Sequence, residues 1–332
     1  MPYFSVILPT YDRARMAAAA ALSVLGQTER DFELFVVDDG STDDTQQVLS
    51  RLPKAPNVHL VRQEKNRGQH VCRNLAIRKA AGAFVTFLDS DDLYLPDRLA
   101  VFRKAIEERP SAGFWFSNSY VRRYGVIIGR LFPPGRSIPE GKVPGYYAVG
   151  EEHLPYVTTN VAIRREAFDK FGVFREDLRI LEDTELYARM LAGGLEVGAL
   201  HEALAVRCLH EAQITRDHAR DFEEALVALE AGAPPPDVAA RARRRLAVEV
   251  ASYFWKGLEP GRARSFLVKE LGPEARSHPL YWKTFAPTLL LAMAKEVRRA
   301  YLTSRYAPLL APQDLRRAER LIRPYIEHAS TL

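Results

Sequence analysis

Apolar strand-like runs alternate with helical stretches over the first 90 residues, and this alternation limits the fold more than any other feature of the chain. The runs that predict strands are FSVILP (4–9), FELFVVDD (32–39), VHLVR (58–62) and AFVTFLD (83–89). Helices are predicted between them at 14–25, 42–52 and 69–81. Such alternation predicts an α/β fold with a mostly parallel sheet and right-handed crossovers.

The carboxyl ends of three predicted strands carry polar and acidic residues. These residues are Thr10–Asp12, Asp38–Asp39 and Asp89–Asp92. Ligands of open α/β sheets bind beyond the carboxyl ends of the strands. Carboxylates that converge there repel one another unless a cation or the donors of a ligand lie between them. The pattern therefore predicts a ligand site, although a single Asp at such a position is also a common turn former or helix cap.

Composition excludes several other classes of protein. The two cysteines, Cys72 and Cys208, belong to no CxxC motif, which argues against a disulfide framework and a thiolate zinc site. The first residues do not follow a secretion-signal pattern. The longest apolar run near the C-terminus, 285–294, is too short to span a bilayer. We therefore expect a cytoplasmic protein without a transmembrane helix.

The basic charge is concentrated in the last third of the chain. Residues 220–332 carry 19 Lys and Arg against 13 Asp and Glu, whereas residues 1–219 carry 28 against 29. A solvated helical face explains such an excess, and so does an anionic neighbour such as a membrane surface. We therefore keep peripheral binding to the inner face of the membrane as an alternative location.

Six segments of the chain, taken in order, are similar to the motifs of one enzyme family. The segments are SVILPTYDR (5–13), VVDDGSTDDT (36–45), NRGQHVCRNLA (66–76), FLDSDD (87–92) with LPDRL (95–99), TTNVAIRREAF (158–168) and LEDTELYAR (181–189). Their order and strand-end placement resemble the family-2 glycosyltransferases, which have the GT-A fold. The resemblance implies a Rossmann-like, mostly parallel mixed sheet flanked by helices.

The resemblance also implies a division of the chain. A catalytic domain is expected over 1–215, with a nucleotide-sugar-binding half at 1–110 and an acceptor-binding half at 111–215. The Ala-, Leu- and Arg-rich remainder, 216–332, is predicted to be a helical C-terminal region.

The loop after the first strand and the strand-end acids are implied to bind the nucleotide-sugar. Tyr11 offers a ring for stacking on a base, and the carboxylate of Asp39 can accept the imide N–H of uracil. Arg73 is expected to donate to the nucleotide-sugar or to pair with a nearby carboxylate. The nucleotide-sugar-binding residues predicted in this way are Pro9, Thr10, Tyr11, Asp12, Asp39, Arg73, Asp89 and Ser90.

The sequence Asp89-Ser90-Asp91 matches the DxD motif of the family. A nucleoside diphosphate that leaves carries negative charge, which a hard divalent ion held by carboxylates can neutralise. The resemblance implies Mn²⁺ or Mg²⁺ on Asp91, with His210 as a further ligand.

Glu182 and Asp183 match the ED motif of the family, at the start of a predicted helix. An acceptor hydroxyl loses its proton as it attacks, so a carboxylate opposite the leaving group is needed, and Asp183 is the predicted base. The alternative is an acidic pair that complements the helix dipole. Asn160 and Glu182 are predicted to contact the acceptor.

The resemblance implies an inverting glycosyltransferase for surface polysaccharide, lipopolysaccharide or glycoconjugate synthesis. The donor would be a UDP-sugar, or a dTDP-sugar, carrying a hexosyl or N-acetylhexosaminyl group. The acceptor would be a hydroxyl of a saccharide, a lipid-linked molecule or another compound. A metal-dependent nucleotidyltransferase and a catalytically silent nucleotide-sugar-binding protein are the alternatives.

Three further classes lack their motifs. There is no GxGxxG after the first strand for a dinucleotide, and GRSIPEGK (135–142) departs from the P-loop spacing. No nucleic-acid-binding module is found, so no nucleic-acid partner is expected.

Overall fold

The computed structural model describes residues 1–133, 135–149, 154–209, 218–285 and 312–332, and its elements follow the predicted order. The strands are β1 (Phe4–Thr10), β2 (Phe32–Asp38), β3 (Val58–Arg62), β4 (Phe84–Phe87), β5 (Leu93–Tyr94), β6 (Phe114–Arg123), β7 (Val126–Arg130), β8 (Val161–Arg164) and β9 (Val197–Leu209). The helices are α1 (Ala14–Leu25), α2 (Thr45–Leu49), α3 (Gln69–Ile77), α4 (Arg98–Glu108), α5 (Arg165–Phe171), α6 (Glu182–Ala192), α7 (His218–Ala231), α8 (Pro236–Lys256), α9 (Pro260–Leu271), α10 (Pro279–Lys283) and α11 (Pro312–Thr331).

The strands form one sheet in the order β3-β2-β1-β4-β8-β6-β9-β5, and β7 pairs with β6. Strands β3, β2, β1 and β4 are mutually parallel, so their carboxyl ends meet at one edge. Strand β8 runs antiparallel to β4 and β6, and β9 is parallel to β6. The α/β class with a mixed sheet flanked by helices is confirmed.

Helices cover both faces of the sheet, as the continuous burial of β1 requires. Side chains alternate between the two faces: Phe4, Val6 and Leu8 join the core that includes α1 and α4, whereas Ile7 joins the core that includes α3 and α6. The carboxyl ends of the parallel strands are therefore held between two packed layers.

Two helices differ in length from the prediction. Helix α2 begins at Thr45 and not at residue 42, because the backbone N–H groups of Thr42 and Asp43 donate to the carboxylate of Asp12. Helix α3 ends at Ile77, and the N–H of Ala81 donates to Glu33 at 2.7 Å. In both places a distant carboxylate replaces helical hydrogen bonds.

The C-terminal helices pack against the sheet domain. Leu229 of α7 lies in the core that contains α6, and Ile322 of α11 lies in the core that contains α1. A third apolar cluster joins α7 to α8, α9 and α10. The boundary at residue 215 stays a prediction. Within the described ranges, no helix combines the length and the apolar character needed to cross a membrane.

Candidate functional site

Two adjoining cavities lie where the carboxyl ends of β1, β2 and β4 meet. The Tyr11 cavity, about 220 Å³, is lined by Pro9, Thr10, Tyr11, Arg13, Asp39, Asn66, Gly68, Gln69 and Ser90. The Asp183 cavity, about 300 Å³, is lined by Pro9, Arg13, Gln69, Asp89, Ser90, Asp91, Asp92, Tyr156, Val157, Thr158, Ile180, Leu181, Asp183, Thr184 and Arg207. Four residues line both cavities, so the two form one continuous cleft.

Asp39 forms one wall of the Tyr11 cavity and holds the loop before α3. Its Oδ1 accepts from the N–H of Arg67 at 2.9 Å and its Oδ2 accepts from the N–H of Gly68 at 2.8 Å. Gly68 has φ +99°, and a Cβ there would lie 2.5 Å from Cε1 of His70. Only glycine fits this position without strain. Because Gly68 has no side chain, its backbone lines the cavity directly.

The loop after β1 is fixed by Asp12, which has φ +48°. The Asp12 carboxylate accepts the N–H of Thr42 at 2.7 Å, and this hydrogen bond lowers the pKa of Asp12. Asp12 therefore orders the loop and does not line either cavity. The neighbouring Tyr11 ring is 39% exposed and faces the cavity that bears its name. The hydrogen bond from Thr42 to Asp12 is the kind of contact that a turn-forming Asp makes, which was the alternative to a ligand contact.

The three acids that follow β4 have different partners. Asp89 accepts from Arg73 Nη2 at 2.6 Å, and Asp91 pairs with Arg13 Nη1 at 2.9 Å. Asp92 is buried and accepts from Thr159 and from the N–H of Cys208. Burial raises the pKa of Asp92 well above its usual range. Asp92 therefore ties this turn to β9, and all three acids border the Asp183 cavity.

Arg73 connects the DxD turn to helix α6. Its side chain is 1% exposed, with Nη1 2.9 Å from Oε1 of Glu182 and Nη2 2.6 Å from Asp89. Burial alone would lower the pKa of Arg73, but these carboxylates outweigh it and raise the pKa. The expected pairing with nearby carboxylates is present, and a direct contact with a nucleotide stays a prediction.

Asp183 is half-buried at the start of α6 and faces the cleft. Its Oδ2 accepts from Thr158 Oγ1 at 2.6 Å, and its Oδ1 accepts from the N–H of Thr184 at 2.6 Å. These two hydrogen bonds hold the carboxylate in one orientation. A carboxylate held in this way at the wall of a cleft is suited to act as a general base.

The two residues predicted to contact the acceptor are buried. Asn160 is 0% exposed, and its side chain bonds to the backbone of Ser117 and Val157. Glu182 is 1% exposed and accepts from Arg73 and from Gln69 Nε2 at 2.9 Å. The geometry argues against direct acceptor contacts by Asn160 and Glu182, because neither reaches the cleft surface.

The structure therefore brings most predicted site residues into one cleft. Those that line it are Pro9, Thr10, Tyr11, Asp39, Asp89, Ser90, Asp91 and Asp183. His210 lies outside the described residues. Within the part of the chain that the structure describes, no three His, Cys, Asp or Glu side chains are grouped to hold a metal ion.

Sequence reasoning missed several polar residues of the cleft, among them Arg13, Gln69 and Thr158. All three lie inside the recognised segments, so the signal was present. Thr158 belongs to a 3₁₀ turn, Thr158–Asn160, which directs the Thr158 hydroxyl to Asp183 and the Asn160 amide inward. Only the geometry of this turn determines that Thr158 faces the cleft and Asn160 is buried.

Glu182 provides a test by pH. Burial, with a contribution from the charge of Asp183, raises the pKa of Glu182 from 4.5 to about 7 despite Arg73. A carboxyl whose pKa rises on folding stabilises the folded state below its unfolded pKa, and this contribution is lost as the pH rises through about 7. We expect the stability of the native protein relative to Glu182→Gln to fall between pH 4.5 and pH 8, by on the order of 3 kcal/mol.

Urea unfolding of both proteins at several pH values measures this difference. The matched control is Glu166→Gln, which changes a carboxyl in the first turn of α5 for which no such burial applies. A pH-independent difference between the native protein and Glu182→Gln would contradict the raised pKa.

Comparisons with known proteins agree with this arrangement. The family model described as glycosyl transferase family 2 matches residues 5–172. An uncharacterized glycosyltransferase of Rickettsia felis is 41% identical over 141 residues, which is 39% of this chain and 23% of that protein. The chain thus spans about a quarter of the length of this relative. TuaG of Bacillus subtilis, named for teichuronic acid biosynthesis, is 28% identical over 61% of this chain and 78% of its own.

Further similarities concern a second named relative and two solved structures. WcaA of Escherichia coli, named for colanic acid biosynthesis, is 28% identical over 64% of this chain and 76% of its own. TarS residues 1–349 of S. aureus, in complex with UDP-GlcNAc, align with a TM-score of 0.58 and 20% identity over 90% of this chain and 92% of that chain. The mannosyltransferase PcManGT of Pyrobaculum calidifontis, in complex with GDP-Man and Mn²⁺, aligns with a TM-score of 0.57 and 20% identity over 99% and 86%. These structures share the fold with this chain.

Proposed function

Because the chain belongs to glycosyl transferase family 2, we propose that it transfers a sugar from a UDP-sugar to an acceptor hydroxyl, with inversion at the anomeric carbon. One observation carries the proposal: Asp183 lines the same cavity as Asp89 and Asp91, and this cavity opens into the Tyr11 cavity. Such a displacement needs a general base beside the site of the diphosphate, and room for the nucleobase and ribose next to that site. The two connected cavities match both needs.

The donor half of the proposal rests on the Tyr11 cavity. Tyr11 supplies a partly exposed ring at its mouth, and Asp39 supplies carboxylate oxygens at its wall. Oδ2 of Asp39 accepts a hydrogen bond from the N–H of Gly68, and a carboxylate oxygen can accept a second one, here from the imide N–H of uracil or thymine. UDP-sugars are the proposed donors, and dTDP-sugars are the alternative.

A divalent ion fits the residues present, since Asp89 and Asp91 border the diphosphate end of the cleft with hard oxygen donors. One or two carboxylates completed by substrate phosphates are a usual environment for Mg²⁺. When bound there, Mn²⁺ or Mg²⁺ would supply positive charge that neutralises the leaving diphosphate. Asp91 and Asp89 would hold it, and His210 stays a prediction as a further ligand.

Asp183 performs the proton transfer in this proposal. The acceptor hydroxyl approaches the anomeric carbon from the Asp183 side, and its proton passes to the carboxylate as the new glycosidic bond forms and the bond to the diphosphate breaks. Thr158 and Thr184 keep the carboxylate oriented through their 2.6 Å hydrogen bonds. Buried Arg73 fixes the distance between α6 and the DxD turn through its two carboxylate partners.

Synthesis of a surface polysaccharide is the proposed process. Two relatives named for teichuronic and colanic acid biosynthesis support it. The acceptor class proposed on this basis includes saccharides and lipid-linked saccharides, with a hexosyl or N-acetylhexosaminyl group transferred. A cytoplasmic location, with an anionic membrane surface as a second partner, stays a prediction. Residues 286–311, which contain nearly all of the apolar run at 285–294, lie outside the described residues.

Calorimetric titration of UDP into the protein, with and without Mn²⁺, tests the donor site. We expect UDP to bind more tightly with Mn²⁺, and Asp91→Ala to weaken this binding by at least about tenfold, which corresponds to ~1.4 kcal/mol. TDP and GDP serve as comparators: thymine presents the same imide N–H to Asp39 as uracil but adds a 5-methyl group, whereas guanine is a larger, bicyclic base. A preference for TDP alone would favour the dTDP-sugar alternative.

Asp97→Ala is the matched control, because Asp97 is exposed, lies six residues from Asp91 and lines neither cavity. It should leave UDP binding unchanged. The proposed function is wrong if none of the three nucleotides binds under either condition.

A further inference from the structure

A third cavity lies on the Asp183 side of the cleft, between α6 and the helical C-terminal region. This Tyr253 cavity has a volume of about 300 Å³. It is lined by Ala148, Val149, Ile180, Leu181, Thr184, Asp221, Phe222, Ala225, Arg245, Leu246, Glu249, Val250 and Tyr253. Most of these residues belong to α7 and α8, for which the sequence predicted no site.

The Tyr253 cavity adjoins the Asp183 cavity. Ile180, Leu181 and Thr184 line both of them. Thr184 donates to Oδ1 of Asp183 through its backbone N–H at 2.6 Å and through its hydroxyl at 3.2 Å. A molecule in the Tyr253 cavity that reaches past Thr184 therefore meets the proposed base, at the end of the cleft away from the Tyr11 cavity.

The lining combines aromatic rings with charged hydrogen-bonding groups. Tyr253 is 42% exposed, its hydroxyl is 3.5 Å from Oε1 of Glu249, and Phe222 contributes a second ring. Arg245 is fixed at the wall by a hydrogen bond from Nη2 to the carbonyl of Val149. Aromatic faces suit the C–H faces of a sugar ring, and carboxylate and guanidinium groups suit its hydroxyls.

The charge of the lining narrows the class of ligand. Two carboxylates, Asp221 and Glu249, face the cavity together with one guanidinium, Arg245. A phosphate or another polyanion placed there would meet two like charges. A neutral ligand whose hydroxyl groups donate hydrogen bonds to the two carboxylates avoids this repulsion.

We propose that the Tyr253 cavity binds a neutral saccharide unit of the acceptor and delivers its hydroxyl to Asp183. This assignment rests on the proposed glycosyltransferase function and names its acceptor class. The helical C-terminal region then supplies acceptor specificity through α7 and α8, while the sheet domain supplies the donor site and the base.

Saturation-transfer difference NMR on the full chain with saturating UDP tests the proposal. The probes are methyl β-D-glucopyranoside, methyl β-D-galactopyranoside and the methyl β-glycoside of N-acetylglucosamine. We expect at least one probe to bind, and Tyr253→Ala and Glu249→Gln each to weaken its binding by at least about fivefold. Both residues are exposed, so these variants should fold.

Two variants outside the cavity serve as controls. Glu223→Gln changes an exposed carboxyl of α7, and Tyr124→Ala removes an exposed tyrosine ring after β6; both should bind the probe like the native protein. Octyl phosphate is the competing probe. The proposal is overturned if no glycoside signal depends on Tyr253 and Glu249, or if octyl phosphate alone shows that dependence. Failure of UDP to bind would instead count against the proposed function.

Discussion

Replacing Asp183 by Asn should reduce sugar transfer by about 10²- to 10⁴-fold, the range that a general base contributes. Asparagine keeps the size of the side chain, and its oxygen can still accept from Thr158 or Thr184. It cannot accept a proton at neutral pH, so the loss falls on the chemical step. UDP affinity should stay within about twofold of the native value, because Asp183 lies away from the Tyr11 cavity.

Two assays on the same preparation separate these effects: transfer from a UDP-sugar to the acceptor, and calorimetric titration of UDP. Asp177→Asn is the matched control, since Asp177 is an exposed carboxylate paired with Arg175 and lines neither cavity of the cleft. Transfer by Asp183→Asn at the native rate would exclude Asp183 as the base. Loss of UDP binding as well would indicate damage to the donor site.

Replacing Arg73 by Met should lower the free energy of unfolding by about 3–5 kcal/mol at pH 8, the usual cost of removing one partner of a buried ion pair. Methionine fills much of the same volume but leaves Glu182, which is 1% exposed, without its cationic partner. It also removes the guanidinium that lies 5.6 Å from the Phe174 ring centroid. The loss should be smaller at pH 5, because Glu182 then binds a proton and its burial costs less.

Denaturant unfolding at pH 8 and pH 5 measures this effect. Arg78→Met is the matched control. Arg78 directly follows α3, the helix that contains Arg73, and its mostly exposed side chain lies 3.8 Å from Glu176. Its replacement should therefore lower the free energy of unfolding by less than about 1 kcal/mol. Adding Glu182→Gln to Arg73→Met should recover part of the loss, since the buried Glu182 then carries no unpaired charge, although Asp89 still lacks Arg73. Equal destabilisation by Arg73→Met and Arg78→Met would contradict the proposed bridge.

Several parts of the cleft were accessible from sequence. The apolar runs predict β1, β2 and β4, and parallel strands place their carboxyl ends at one edge. Because Asp39, Asp89 and Asp91 follow these strands, a parallel arrangement places all three at the same edge of the sheet. The motif around Asp183 predicts a helix start, and α6 begins there.

Other contacts had no local signal. Arg13 and Asp91 are 78 residues apart, and Asp12 and Thr42 are 30 apart, so neither pairing leaves a pattern in any short window. The burial of Asn160 depends on a single 3₁₀ turn that also presents Thr158 to the cleft. Side-chain direction at such a turn follows from backbone angles, which residue type alone does not specify.

The sequence by itself determined the α/β class, the family motifs and the edge of the sheet where the acids meet, because these follow from short-range periodicity and chain order. The tertiary structure alone decided which partners the acids of the cleft have, Arg73 for Asp89 and Thr159 for Asp92, and that α7 and α8 form a cavity beside Asp183. These outcomes depend on how distant helices pack, and packing is set by shape and burial summed over the whole core.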